Sequence, residues 1–411
     1  MRVLYLNPCA QMGGAETSLV ELLASIRFTE PTWDLILILG ENGPLVEKAK
    51  ALGVHVRVIP LPVAIGKLGD SGKRGRAGLL SGLFASLGYI RVLKRVIRTE
   101  RPQLIHSTGF KMHVLSAWAR PRGIPLIWHI HDYVQSRPLM SRLLRWHAGR
   151  CTSAIVNSRS VAADLRSALG SRVPVDCIYN AIDLARFSPV GARLDLDAVS
   201  HLPAPHEPTV RVGLIATFAW WKGHRVFLKA LSLLPLELRV WGYIIGGPVY
   251  RAAGSQESME ALREEAINLG LEGRVGFTGH VDDSASAIRA LDIVIHASTL
   301  PEPFGMVIAE AMGCAKPLVV SNAGGARELF DEEVEALSHQ PGDAQVLAQQ
   351  ITRLVKDRAL GARFGQAGRA KAERSFDRKR LGREVLRVYR GLGNGSTSDA
   401  FSVKESEVRS A

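Results

Sequence analysis

The sequence predicts an α/β protein of two doubly wound, Rossmann-like domains that face each other across a cleft. Three observations carry this expectation. The chain has 411 residues, more than one compact core accommodates, since single cores stop growing near ~250–300 residues. Short runs rich in Val, Ile and Leu, apolar on both faces, alternate with helical patterns, the signature of parallel sheets covered on both sides. The runs fall into two series on either side of a proline-rich stretch, as two α/β units would.

The first series of expected strands is Arg2–Asn7, Asp34–Leu39, Val54–Ile59, Gln103–His106, Leu126–Ile130, Ala154–Asn157 and Val175–Tyr179. These define a first domain over residues 1–186. A linker over 187–208 holds Pro189, Pro203, Pro205 and Pro208 and has weak periodicity. The second series is Val210–Ala216, Leu238–Ile245, Arg274–Phe277, Asp292–His296 and Pro317–Ser321, giving a second domain over 209–375. A helix over 376–392 is expected to pack back on the first domain. Residues 393–411, rich in Gly, Ser, Thr and Asp, read as a mobile tail. Ligands of open α/β sheets bind beyond the carboxyl ends of the strands, so two facing sheets place their sites across one cleft.

Composition narrows the partners. Apolar residues make up 46% and charged residues 22%, as in an ordinary globular protein. The formal charge of +13 suggests anionic partners, whether nucleotide phosphates, acidic lipid headgroups or nucleic acid, and does not choose among them. No nucleic-acid partner is expected. Cys9, Cys151, Cys177 and Cys314 are scattered and form no CxxC pair, which reads as reduced thiols without a structural metal. The first strand begins without a signal-peptide pattern, and no apolar run approaches the ~20 residues of a membrane span. The expected location is cytoplasmic.

The most informative stretch is Pro301-Glu302-Pro303-Phe304-Gly305-Met306-Val307-Ile308-Ala309-Glu310-Ala311-Met312. Pro301 and Pro303 exclude helix, so Glu302 sits on a rim loop and a helix starts near Gly305, running through Ala315. The free amides of Gly305, Met306 and Val307 then form an anion site suited to a diphosphate. Glu302 and Glu310, on either side of it, can accept hydrogen bonds from sugar and ribose hydroxyls. A lone pair of this kind is more often two solvated glutamates, but its context adds weight. Thr217 to His224 follows a strand and places Lys222 at the opening of a helix, where a phosphate-binding cation belongs. Gly324-Gly325 follows the strand ending at Ser321 and serves either close approach to a ligand or a tight turn. Gly246-Gly247-Pro248 has the same two readings.

Together these residues resemble the retaining glycosyltransferases of GT-B fold. The resemblance runs to about Tyr389 and is most specific in the Glu-x7-Glu spacing of Glu302 and Glu310. Lys222-Gly223 and Gly324 to Glu328 match in order and spacing. The resemblance implies that Glu302 contacts the donor sugar, Glu310 the ribose and Lys222 the diphosphate. It places the helix start, Phe304 to Val307, along the donor, and the base near Gly279-His280-Val281. One departure is Thr217, at the place where family members often carry a second phosphate cation. Arg225 or the helix dipole is then expected to support Lys222. Gly13-Gly14, after the first strand, resembles the family loop that lines the cleft opposite the donor; alone it reads as a strand-to-helix turn, and no GxGxxG fingerprint is present. His131 matches the family histidine near the reacting carbon. His129 alternates to the other face of its strand, and His106 is either a cleft residue or a core one. Asn180 to Asp183 resembles a family turn and is equally an Asx turn.

The expected function is retaining transfer of a hexose-type sugar from a nucleoside-diphosphate sugar to a lipid-linked or cell-envelope glycan, without metal or cofactor. Lys222 and the Gly305–Val307 amides would stabilise the leaving diphosphate, and Asp282-Asp283 reads as a turn. Three alternatives stand beside it. A non-catalytic nucleotide-sugar-binding protein needs no chemistry at Glu302. A same-fold nucleotide-sugar epimerase fits the Glu spacing less well. A nicotinamide dehydrogenase lacks its fingerprint.

The last feature is a basic region from Lys67 to Arg101, with Lys73, Arg74, Arg76, Arg91, Lys94, Arg95 and Arg98 between them. Leu79, Leu83, Leu87, Ile90, Leu93 and Ile97 recur there as one helical stripe. The stripe is either core or the apolar side of a helix lying on an anionic membrane. The second reading places the protein peripherally on the inner face of a membrane.

Overall fold

The computed structural model describes residues 1–66, 76–203, 207–248 and 256–393. The expectations for Lys67, Lys73, Arg74 and Pro205, and for the chain beyond 393, concern residues outside that set. Strands β1 (Arg2–Asn7), β2 (Asp34–Leu39), β3 (His55–Val58), β4 (Leu104–Thr108), β5 (Leu126–Ile130), β6 (Ser153–Val156) and β7 (Val175–Cys177) build one sheet. Its order is β3-β2-β1-β4-β5-β6-β7, with every pair parallel. Strands β8 (Val210–Ile215), β9 (Val240–Ile245), β10 (Val275–Gly279), β11 (Ile293–His296), β12 (Leu318–Ser321) and β13 (Leu337–His339) build the second, in the order β10-β9-β8-β11-β12-β13, again parallel.

The strands form because both of their faces are buried. Leu4, Leu6, Ile36, Ile38, Trp128 and Ile130 feed the core on one side of the first sheet, while Val3, Tyr5, Leu35, Leu37 and Ile127 feed the other. The twelve expected strands form within two residues of their expected ends. β13 escaped the sequence reading because it is three residues long with a serine at its centre. In each sheet the chain winds outward and then returns to the other side of its first strand, between β1 and β4 and between β8 and β11. The resulting crevices at the carboxyl ends position the site.

Two connections differ from a simple two-bead arrangement. The stretch read as linker is packed, with Phe187 and Leu196 in a core of the second domain. Asp197, on the short helix Leu196–Ser200, is bonded by Arg211 at 2.6 Å and by Tyr243. Its few apolar anchors lie too far apart to give a period, hence the loop-like sequence. The C-terminal helix Arg378–Gly393 crosses back and lies on the helix Gly14–Thr29. Leu381, Val385, Leu386 and Tyr389 are buried there among first-domain residues, and Arg378 pairs with Glu21. The two crossings touch, since Ile182 N donates to Phe376 O at 2.9 Å.

The helix Arg76–Glu100 decides between the two readings of its stripe for the side chains described. Ile90, Leu93 and Ile97 are buried in the first-domain core with Tyr89, so this part of the stripe is core. Leu87 is half exposed, and the side chains of Leu79 and Leu83 lie outside the described set. Arg91, Lys94, Arg95 and Arg98 remain on the outer face and line a shallow hollow of about 470 Å³. Among the described residues, no helix is long and apolar enough to cross a membrane.

Candidate functional site

The loop between β11 and the helix Met306–Gly313 carries Glu302 into the cleft. Its carboxylate accepts from Lys222 Nζ at 2.6 Å on one oxygen and from Ser298 Oγ at 2.7 Å on the other. His296 Nε2, at the end of β11, stands 3.5 Å away. Burial alone would raise this carboxyl, but the Lys222 charge and the His296 and Lys222 hydrogen bonds outweigh it and hold Glu302 well below the usual range. Glu302 and Lys222 are therefore one ion pair, 80 residues apart in the chain.

Glycines let the loops close around that pair. Gly223 adopts a left-handed φ of 77°, and a Cβ there would collide with Ala297 O. Gly324, with φ 65°, forms a parallel bridge with Glu302, and Gly325 N donates to Glu302 O at 2.7 Å. A Cβ on Gly324 would meet Tyr133 Oη and the Glu302 backbone, and one on Gly325 would collide with Pro303 O. These glycines are needed for the close approach of the Glu302 loop, a neighbour within the protein.

The helix Met306–Gly313 begins one residue after Gly305, whose φ is 95°, and has no side-chain cap. An uncapped start of this kind leaves amides and a partial positive charge for an anion. The helix is shorter than expected and ends before Cys314. Glu310 sits on it half buried, and its carboxyl makes no hydrogen bond or ion pair among the described residues. Burial pushes its carboxyl up to about 7, against the pull of Arg186. The side chain of Phe304 belongs to the core: it is 2% exposed and packs with Tyr179 and Phe376. Only its backbone can meet a ligand.

The first domain supplies the opposite wall. Gly13 caps the helix Gly14–Thr29 in extended backbone, and no atom lies within 4 Å of a Cβ built on Gly14. Ser18 of that helix reaches Met306 Sδ at 3.7 Å, as does Asn180 at 3.6 Å. His131 follows β5, with both ring nitrogens buried and unpartnered, and burial lowers its pKa to about 4. Two residues on, Tyr133 Oη donates to Glu302 O at 3.2 Å. Glu328 accepts from the backbone N–H groups of Arg159 and Ser160 at 2.8 and 2.7 Å, clamping one domain to the other. Of the two readings of His106, the core one holds, since it is fully buried.

Other expected residues make no side-chain hydrogen bond to Lys222 or Glu302. Arg225 is engaged by Glu257 at 2.5 Å and Glu265 at 3.0 Å. His280 is exposed beside Asp282, and Val281 packs partly on the second-domain core. Thr217 Oγ1 is buried without a partner. Asp283 faces Arg186 at 3.5 Å. Among the described residues, no group of three His, Cys, Asp or Glu is placed to hold a metal ion. All four cysteines are free thiols. Sequence reasoning missed His296, Ser298 and Tyr133; the first could have been noticed as a polar residue closing an apolar strand at the carboxyl edge.

Comparison with known proteins follows the same division. Residues 204–371 match the family model Glycosyl transferases group 1, and residues 43–186 match Glycosyltransferase Family 4. The lipopolysaccharide core biosynthesis mannosyltransferase LpsB of Rhizobium meliloti (strain 1021) is 27% identical over 345 residues, covering 78% of this chain and 95% of that protein. The lipopolysaccharide core biosynthesis glycosyltransferase LpsE of the same organism is 26% identical over 312 residues, covering 75% and 83%. The crystal structure of Anabaena Alr3699/HepE in complex with UDP-glucose matches with a TM-score of 0.76 and 25% identity, covering 95% of this chain and 100% of that one. The complex of the same protein with UDP and glucose gives 0.77 and 26%.

Proposed function

We propose, from the premise that this chain belongs to the glycosyltransferases of GT-B fold, that it moves a hexose-type sugar from a nucleoside-diphosphate sugar to a hydroxyl of a lipid-linked or cell-envelope glycan, with retention at the sugar carbon. The observation that carries the reading is the Lys222–Glu302 pair set beside the uncapped start of the Met306–Gly313 helix, with Glu310 left unpartnered on the same helix. Each group has a task. The diphosphate draws Lys222 toward itself and lies against the Gly305–Val307 amides, which stabilise charge as it leaves. Glu302, held ionised by its neighbours, then has an oxygen for the sugar hydroxyls and supports positive charge at the reacting carbon. Glu310 accepts from the ribose diol. His131 lines the acceptor side of that carbon. The acceptor oxygen bonds to the carbon from the face the diphosphate leaves, the carbon–phosphate oxygen bond breaks, and the acceptor proton passes to the departing phosphate oxygen.

Support for the donor class comes from the neighbours that hold UDP and UDP-glucose; support for an envelope glycan comes from the lipopolysaccharide relatives. The test is a thermal-shift screen against UDP-, GDP-, ADP- and dTDP-sugars, followed by transfer assays with the stabilising donor and NMR of the product anomer. A ligand that binds only the native state raises the midpoint. No stabilising donor removes the reading, and an inverted anomer removes retention.

A specific observation favours a membrane-side acceptor. Between residues 76 and 150 stand thirteen Lys and Arg against two acids, Glu100 and Asp132, out of 52 and 39 in the whole chain. Nearly all of the net charge therefore lies in this stretch. Arg57 already pairs with Glu100 at 2.8 Å. Phe84, Leu87 and Val92 are exposed on the helix that bears Arg91 to Arg98, and Trp146, Leu139 and Trp118 on the helices that follow. Each cation near an anionic surface contributes ~1 kcal/mol, and exposed tryptophan suits the headgroup layer.

A further inference from the structure

Behind His131 runs a buried chain of hydrogen bonds that begins on the C-terminal helix. Tyr5 on β1 and His106 on β4 are register partners. His129 lies further toward the carboxyl edge on β5, since its partner on β4 is Thr108. Tyr389 reaches over them from the Arg378–Gly393 helix. Its Oη lies 2.7 Å from His106 Nδ1, and His106 Nε2 lies 3.1 Å from His129 Nδ1. Tyr389 Oη also donates to Tyr5 Oη at 3.3 Å. The four side chains are at most 3% exposed.

The direction of one proton fixes the others. With its own proton committed to Tyr5, Tyr389 Oη accepts from His106 Nδ1–H. His106 Nε2 is then a bare lone pair and accepts from His129 Nδ1–H. His129 is thereby held as the Nδ1–H tautomer, and its Nε2 is buried with no partner. All three links stay neutral, because burial drives the imidazoles down, His106 to about 3, and the two phenols up.

His131 comes next in space. Its ring lies 4.0 Å, centroid to centroid, from that of His129 at an interplanar angle of 36°; the expectation that His129 faces the other way is thereby corrected, since residues two apart on extended backbone share a face. Neither of its nitrogens has a hydrogen bond, so no polar contact fixes its orientation. The tilted ring of His129, packed against it, is the contact left to do that work.

We infer that Tyr389, His106 and His129 are positioning residues for His131, so that the C-terminal helix sets the geometry of the acceptor side of the site; this rests on the proposed role of His131. The decisive experiment is a double-mutant cycle in the full chain, read by kcat, by KM for the donor, and by imidazole ¹⁵N NMR. Tyr389→Phe keeps the ring and removes the hydroxyl. It should lower kcat about ten-fold, the scale of a small misplacement of a reacting group, leave donor KM unchanged, and shift the His129 and His131 ring signals. In a His131→Ala background the same change should cost nothing further. An equal loss in both backgrounds, or unmoved His131 signals, overturns the inference. If His131→Ala itself transfers sugar normally while Tyr389→Phe still shifts the His131 signals, the chain stands and the catalytic reading of His131 falls.

Discussion

Glu310 holds a proton in the empty protein at a pH where a solvated glutamate does not, because burial lifts its carboxyl to about 7. The ionised form accepts from both hydroxyls of a ribose more strongly than the protonated form, which carries a donor of its own. Affinity for a nucleotide sugar, whose phosphates do not titrate near neutrality, should therefore rise between about pH 6 and about pH 8. Glu310→Gln should bind more weakly and without that slope; calorimetry at the two pH values checks both. The linked stability has the opposite sense. The folded pKa lies above the unfolded one, so the stability Glu310 contributes is present below about 4.5 and is lost as pH rises through about 7. Lys222 gives a second prediction. Lys222→Met leaves the Glu302 carboxylate facing only Ser298 and His296, and should cost about 2 kcal/mol by denaturant unfolding. Lys222→Met/Glu302→Gln should recover most of that, and both variants should transfer sugar at least about a hundred-fold more slowly. Spacing and turn chemistry made Glu302, Glu310 and Lys222 legible as separate residues. That two of them would pair was not legible, since nothing local links positions 80 residues apart. Tyr133 was hidden for the same reason: its partner is a carbonyl of the other domain.

At the scale of elements, the Met306–Gly313 helix start and the glycines behind it act as one unit. Gly325→Ala would push a Cβ into Pro303 O and the Ser158 side chain. It should cost about 2 kcal/mol as an overpacking change and lower transfer by displacing the Glu302 loop; thermal melts and kcat together test this. In the proposed mechanism the amides of that helix and Lys222 would take the part of a divalent cation, so transfer should persist in EDTA. A complete loss restored by Mg²⁺ would return attention to Asp282 and Asp283. Helix type and strand type were readable here because periodicity and the flanking prolines are local signals. Boundaries were less so: the helix ends before Cys314, and Ala315 adopts a left-handed φ of 54°. Arg225 illustrates a different limit. Its charge was visible, but its commitment to Glu257 and Glu265 depends on a loop and a helix beyond the next strand.

For the whole molecule, the sequence displayed the two sheets and the charge but not where each charge would face. Burial of Ile90, Leu93 and Ile97 leaves the outer cations and the exposed aromatics to do any membrane docking. Co-sedimentation with anionic vesicles should rise with anionic lipid fraction and fall with salt. It should drop when Arg91, Lys94, Arg95 and Arg98 become Gln. Wild-type protein that stays in the supernatant at low salt makes a soluble acceptor the better reading. The returning C-terminal helix has a consequence for how the chain is made. The residues from 183 to 375 form, in effect, an inserted module whose two ends meet at Ile182 and Phe376. The host domain around them is begun first and completed last. During synthesis, the surface that Leu381, Val385, Leu386 and Tyr389 will cover stays uncovered until the inserted module has left the ribosome. The module can then fold as a closed unit while the host still waits for its final helix.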